Sequence, residues 1–306
     1  MKIKSIKVSG SLILAAFALV FTGILGGVAP IFLKVALREF TPFEIVFTRF
    51  FFAFIILFPI LLAKKGFRVY KKDFVRILFA SLFFAGNIFL FIFGLQYTTS
   101  ISSQLLYLLT PTLVIILSFF FLKTRVQIHH LISIITGLLG GVILIGRNTT
   151  SVELINSLGT AYGNLIVLGA VCSWAGYIMV TKKLSSLYSP LFLLACNCFV
   201  TAGLSVFFLL RQHNNIFSIY HGASLQAILS LIALITLNSI GFFFLFQWAI
   251  KRVSPFMAST TTYFGPLSAA FFGVLLLGEK ITIPLITSAF FICISAFFTF
   301  VNKIKT

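Results

Sequence analysis

Between residues 12 and 301 the chain is a succession of long apolar stretches joined by short polar links. A helix needs about 20 apolar residues to cross the hydrocarbon core of a bilayer. Once inside, each backbone N–H and C=O must find its partner within its own segment. Ten spans follow from this, at residues 12–33, 43–63, 74–95, 101–122, 128–146, 160–181, 190–210, 225–249, 256–277 and 282–301. No link is long enough to fold as a separate soluble domain. The expectation is an all-α membrane protein of ten transmembrane helices. Only 9% of residues are charged and the mean hydropathy is +1.14, whereas a soluble chain carries about 25% charged residues.

The formal charge of +18 would suit nucleic acid, but its distribution points elsewhere. With the N-terminus in the cytoplasm, the cytoplasmic links hold most of the 23 Lys and Arg, including Lys64, Lys65, Arg68, Lys71, Lys72 and Arg76. The other side receives Lys34, Arg38, Arg147, Arg211 and Lys280. This is the positive-inside bias of a plasma-membrane protein with both termini cytoplasmic. Attraction to anionic lipid is a by-product. The start, "MKIKSIKVSGSLILAAFALV", looks like a signal peptide, yet its only small-x-small site, Gly27-Val28-Ala29, runs into Pro30. The segment is therefore expected to stay as the first span.

Lys34 and Pro42, at the end of one span and the start of the next, recur as Lys182 and Pro190. Further along, Gly86 recurs as Gly241, Pro111 as Pro266 and Arg125 as Lys280. "LLTPTLVIILSFFFLKTR" and "YFGPLSAAFFGVLLLGEK" both place a Pro mid-span and a base near the end. Two five-helix units are expected, residues 12–147 and 160–301. Five being odd, the second unit enters the membrane from the opposite side. Inverted repeats of this kind place a substrate site near the midplane, between halves that rock against each other. The alternative is chance likeness between oily helices sharing Pro and Gly.

At these residues the chain resembles the drug/metabolite transporter superfamily, and within it the EamA-type transporters. The likeness is carried by "FLKVALREFTPFEIVFTRF", by the paired "FGLQYTTSISSQLLYLLTP" and "WAIKRVSPFMASTTTYFGP", by "LLLGEKIT", and by "GLLGGVILI". The first half departs from the family pattern at "LKTRV", where an acidic residue is common. The resemblance implies a central cavity surrounded by helices one, three, four, six, eight and nine, and export or exchange of small metabolites.

Polar side chains are costly in hydrocarbon and turn toward the bundle interior. They gather on the helices that the resemblance implies. Asn87, Gln104, Tyr107, Trp174, Tyr177, Asn238 and Tyr263 are the candidate cavity residues. Thr110, Asn164, Gln247, Trp248 and Thr260 to Thr262 are secondary, with Gln247 and Trp248 assigned to the interfacial aromatic belt. Each also has a plain reading as helix-to-helix glue. Pro111 and Pro266 remove a backbone bond in mid-span and serve as hinges or as packing kinks. Gly137 and Gly141 form a GxxxG contact. Arg49 would cost about 3 kcal/mol at a span centre and is read as a structural or gating charge, snorkelling outward or facing Glu44. Lys34 is an interface anchor or an attractor of anions.

Cys172, Cys196, Cys198 and Cys293 have no metal or disulfide spacing, and no metal or cofactor is expected. The five acids, Glu39, Glu44, Asp73, Glu153 and Glu279, fall in links or at span ends, as do the four His. Without a carboxylate or His at membrane depth, facilitated diffusion or exchange is expected in place of a proton relay. The function expected is a secondary transporter for an amphipathic metabolite such as an amino acid or nucleoside, acting as a monomer or homodimer. A lipid or polyprenyl-phosphate flippase is the alternative. A membrane-embedded enzyme lacks its paired acids or ligand sets, since His129 and His130, being adjacent, face different ways.

Overall fold

The structure, a computed structural model, describes residues 10–64, 70–122, 128–145, 158–212 and 219–300. Glu153, His213, the links around Arg68 and Arg125, and the terminal lysines lie outside the described residues, as do the side chains of His129 and His130. Ten helical spans run in sequence: α1 (Gly10–Ala36), α2 (Pro42–Ala63), α3 (Phe74–Leu95), α4 (Ser100–Tyr107 then Thr110–Leu122), α5 (Ile128–Ile145), α6 (Ala161–Ser185), α7 (Pro190–Gln212), α8 (Leu225–Ala233, Leu234–Phe242 and Phe243–Ile250), α9 (Pro255–Ser259, Thr260–Tyr263 and Gly265–Leu277) and α10 (Ile283–Phe300).

α2, α4, α6, α8 and α9 each start on a side-chain cap. At α2, Pro42 sits at the first turn while Thr41 and Glu44 close a reciprocal capping box, which satisfies two orphan N–H groups. Glu44 is thereby committed to the helix start and is not the partner of Arg49. At the starts of α4, α6, α8 and α9, the side chains of Thr99, Thr160, Ser224 and Ser254 each accept one backbone N–H. At the far end of α9, Gly278 takes a left-handed conformation (φ +65°), which L side chains disfavour and glycine accepts. It turns Glu279 back toward the start of α4.

The side-chain distribution is that of a protein solvated by lipid. Phe17, Phe79, Phe121, Leu267, Phe271 and Phe297 face outward, while Thr22, Ser81, Asn164, Asn197, Thr201 and Ser288 are buried. The halves exchange roles in their packing. α1 runs along α8 as α6 runs along α3, and α1 meets α9 as α6 meets α4; α2 crosses α7, and α5 lies against α10. Swapping the two halves reproduces the same set, as two inverted five-helix repeats require.

Two helix contacts depend on glycine. A Cβ at Gly27 would collide with the Gly265 carbonyl and the Ser268 hydroxyl, so α1 and α9 touch backbone to backbone. On α5, the residues against α10 are Gly137, facing Ser295, and Gly140, facing Ile292 and the Ser288 carbonyl. The close approach runs through Gly137 and Gly140, one turn apart, while the surroundings of Gly141, the other member of the GxxxG pair, lie outside the described residues.

Three spans depart from α-helical geometry at mid-depth. α4 tightens at Leu108 and Leu109, whose N–H groups reach back to Leu105 and Leu106; Pro111 then opens its second half. α9 narrows to a 3₁₀ turn over Thr260–Tyr263, and Pro266 stands in the first turn of the next piece. The two prolines thus mark interruptions in the spans, at positions where their missing N–H costs little. α8 widens into π geometry over Leu234–Phe242. That segment carries Gly241 near its end and no proline, and π segments recur at functional sites.

Candidate functional site

All three interruptions border one central cavity of about 70 Å³. Both halves build it. Gly23, Gly26 and Ala29 come from α1, Arg49 from α2, Asn87 and Phe91 from α3, and Gln104 and Tyr107 from α4; Trp174 comes from α6, Asn238, Phe242 and Phe243 from α8, and Thr261, Thr262 and Gly265 from α9. Its volume is well below the roughly 300 Å³ at which small-molecule pockets begin. In this conformation the cavity is too small for a metabolite.

The polar wall is organised by hydrogen bonds between spans. The Asn87 amide donates to the Tyr107 hydroxyl and, at 2.9 Å, to the Ala170 carbonyl, tying α3 to α4 and α6. Thr261 donates to the Leu19 carbonyl at 2.7 Å and meets the Thr22 hydroxyl at 2.8 Å, tying α9 to α1. The lining is also aromatic, with Phe91, Trp174, Phe242 and Phe243. Trp174 approaches Phe246 with ring centroids 4.8 Å apart and stacks on Tyr177 at 5.1 Å.

The structure thus brings Asn87, Gln104, Tyr107, Trp174 and Asn238 to the lining, and adds Arg49 to them. Two candidates lie elsewhere. Tyr177 sits behind Trp174, fully buried, its hydroxyl accepting from Asn197 (2.8 Å) and from Gln247. Tyr263 packs against the core from the 3₁₀ turn, off the lining. Gln247 belongs to the Tyr177 network and is 1% exposed, so it is no part of an interfacial belt. The face of the helix decides these outcomes. One turn along α6 from the cavity, α3, α7 and α8 close over the side chain.

Arg49 neither snorkels nor meets an acid. It is 1% exposed. Its Nε donates to Ser239 Oγ at 3.2 Å, its Nη2 to Asn238 Oδ1, and its guanidinium lies 5.2 Å from the Phe50 ring centroid. Lys34 stands above the cavity at the end of α1 and pairs with Glu279 at 3.5 Å. Glu279 also accepts from Ser100 N (2.7 Å) and Ile101 N (3.1 Å), so an acid of the second half caps a helix of the first. The Lys34 charge is thus a tie between halves more than a surface anchor. Gly23, Gly26 and the Thr261–Thr262 pair were under-weighted by sequence reasoning; the small-residue spacing of α1 was the signal for the first two.

Comparison with known proteins bears on what this cavity is for. Residues 12–146 and 161–301 each match the EamA-like transporter family. The protein named "Uncharacterized transporter YoaV" from Bacillus subtilis (strain 168) is 27% identical over 279 residues, 89% of this chain and 92% of its own. "Uncharacterized inner membrane transporter YhbE" from Escherichia coli (strain K12) is 35% identical over 188 residues, 58% of this chain and 57% of its own. A solved crystal structure superposes with a TM-score of 0.63 over 95% of this chain and 99% of its own at 18% identity, a likeness of fold alone.

Proposed function

The chain belongs to the EamA-like transporter family and is a multi-pass membrane transporter, and from that premise we propose that it is a secondary transporter for a small amphipathic metabolite. The solute crosses the plasma membrane by alternating access, as export or exchange, with both protein termini cytoplasmic. The observation that carries the reading is a single cavity walled by both inverted halves at the depth where α4, α8 and α9 are interrupted. Unwound or tightened backbone at membrane depth is tolerated where it lines a cavity, and inverted repeats put the substrate there.

An amino acid, a nucleoside-like compound or a related solute suits an aromatic lining with amide and hydroxyl groups. The described acids stand at span ends in hydrogen bonds or ion pairs, which supports facilitated diffusion or exchange over proton coupling. A flippase reading would need a lipid path into the cavity. The apolar groove between α2, α3 and α7, about 560 Å³, shares no lining residue with it. Counterflow in liposomes tests the proposal. Preloaded solute should accelerate uptake of its labelled copy, and Trp174→Ala should lower that flux at least tenfold while the protein still folds. Flux unchanged in both Trp174→Ala and Tyr107→Ala would remove the cavity from the transport path.

A further inference from the structure

Arg49 is a buried cation for which the described protein supplies no counter-ion. The two ion pairs among the described residues are Lys34–Glu279 and Arg76–Asp73. The other described acids are also engaged away from it: Glu39 with Ser224, Glu44 with Thr41. Its own partners, Ser239 and Asn238, are neutral and use two of the five N–H donors of a guanidinium. The group borders the cavity. A buried charge is ordinarily paired, because taking it out of water is expensive.

The second half shows that the fold does not require this charge. Counted from Pro42 and Pro190, the residue of α7 that corresponds to Arg49 is Asn197. Asn197 accepts from Ser81 of α3 at 2.9 Å and donates to Tyr177 of α6 at 2.8 Å. A neutral amide thus joins the helices there, with both its polar ends engaged. At the matching crossing of α2 with α8, Arg49 makes the interhelical bonds and still has donors to spare.

We infer that Arg49 is the binding group for an oxyanion, a carboxylate or phosphate, carried by the transported solute. This rests on the transporter reading and names the substrate class of the same cavity. Asn238 and Ser239 hold the guanidinium plane, and its free edge offers the paired donors that suit such a group. The apolar body of the solute then lies against Trp174, Phe91 and Phe242. No carboxylate stands on the lining, so a purely cationic solute would face Arg49 with nothing to offset the repulsion.

The test uses the full chain in liposomes loaded with an equimolar set of amino acids, organic acids and nucleoside monophosphates, together with the amide or dephosphorylated counterpart of each. Release is followed by mass spectrometry. At least one oxyanion should leave tenfold or more faster than its neutral counterpart. Arg49→Gln should remove that preference, and Arg49→Lys should keep part of it. If Arg49→Gln fails to fold, the acid-to-neutral ratio of the wild-type chain decides alone. Equal release of acid and counterpart, or release of neutral or cationic solutes only, overturns the role of Arg49 and leaves the transporter reading intact. Release of nothing, with inversion of phosphatidylglycerol in the same vesicles, overturns the solute reading and moves the oxyanion to a lipid headgroup. Neither release nor inversion overturns both.

Discussion

The two ends of the bundle are built from corresponding residues of the repeat and are fastened differently. At the end that joins α1 to α2 and α9 to α10, carboxylates of one half clasp helix starts of the other. Glu279 holds Ser100, Ile101 and Lys34. Glu39 accepts from the Ser224 N–H at 2.8 Å and from its hydroxyl at 2.5 Å, at the start of α8. At the opposite end, Lys182, the counterpart of Lys34, donates to the Ile250 carbonyl at 2.8 Å within its own half. Among the described residues, the cross-half hydrogen bonds there include those of the Tyr188 hydroxyl, which donates to Asp73 at 3.1 Å and accepts from Tyr70 N at 3.2 Å. The position corresponding to Glu279 in the first half is Thr124. One end is thus latched by acids of one half reaching into the other, the other end by a phenol. In an alternating-access cycle, opening the first end, which the proposed topology turns outward, breaks an ion pair and charge-assisted bonds. Opening the second breaks the phenol's bond to a buried acid, whose ion pair with Arg76 lies within its own half.

The largest way to break this contrast is Glu279→Ala. It removes the ion pair and leaves two N–H groups of α4 without their carboxylate. Hydrogen bonds to charged groups contribute about 1.5–3 kcal/mol each, and partial exposure of Lys34 lowers the ion-pair share. The expected loss is about 3 kcal/mol of stability by thermal melting. A Gln104→Cys reporter in a background with the native cysteines replaced by serine should also be labelled faster from the Glu279 end. Unchanged labelling would show that the latch is not what closes the cavity on that side.

Tyr188→Phe breaks the opposite end and should do less. It deletes one phenol from a fully buried Asp73 that keeps Arg76 at 3.4 Å. A loss of about 1–2 kcal/mol is expected, with labelling of the same reporter from the Tyr188 end raised and that from the Glu279 end unaltered. Equal changes at both ends would mean that the mutation loosens the bundle as a whole.

Lys34→Gln comes next. Glu279 keeps both backbone donors, so only the ion pair is lost. About 1 kcal/mol or less is expected for a pair with one partly exposed member. A double-mutant cycle with Glu279→Gln isolates that coupling. A coupling indistinguishable from zero would make the capping of α4, and not the charge of Lys34, the working part of the latch.

These contrasts also show where sequence reading stops. The spans were legible because lipid demands long apolar runs, and the repeat because Lys34 and Pro42 recur as Lys182 and Pro190. Asn87, Gln104 and Asn238 were found through the cost of amides in hydrocarbon. That same cost makes buried polar groups seek one another, so Tyr177 and Gln247 look identical in sequence to lining residues although they bond each other. Which way Arg49 points depends on how α2 is rotated against α7 and α8, which hydropathy does not encode. The partner of Glu279 stands in the other half of the chain, and only the left-handed turn at Gly278 brings the two together.

The finest test of the contrast is pH. The Glu39 carboxyl is held below its ordinary 4.5 by hydrogen bonds from the Ser224 hydroxyl and then the Ser224 N–H. A carboxyl lowered in this way supports the folded clasp while it is ionised. Its contribution is complete above the ordinary value and disappears as pH falls through the lower, folded one. Tyr188 behaves oppositely. A phenol titrates near 10, and burial moves this one further up, so the hydroxyl keeps its proton throughout the acid range. Lowering pH from 7 to below the ordinary Glu range should therefore raise reporter labelling modestly at the Glu39 end, and Glu39→Gln should abolish the step. A step of the same size in Glu39→Gln would leave Glu39 a passive cap on α8.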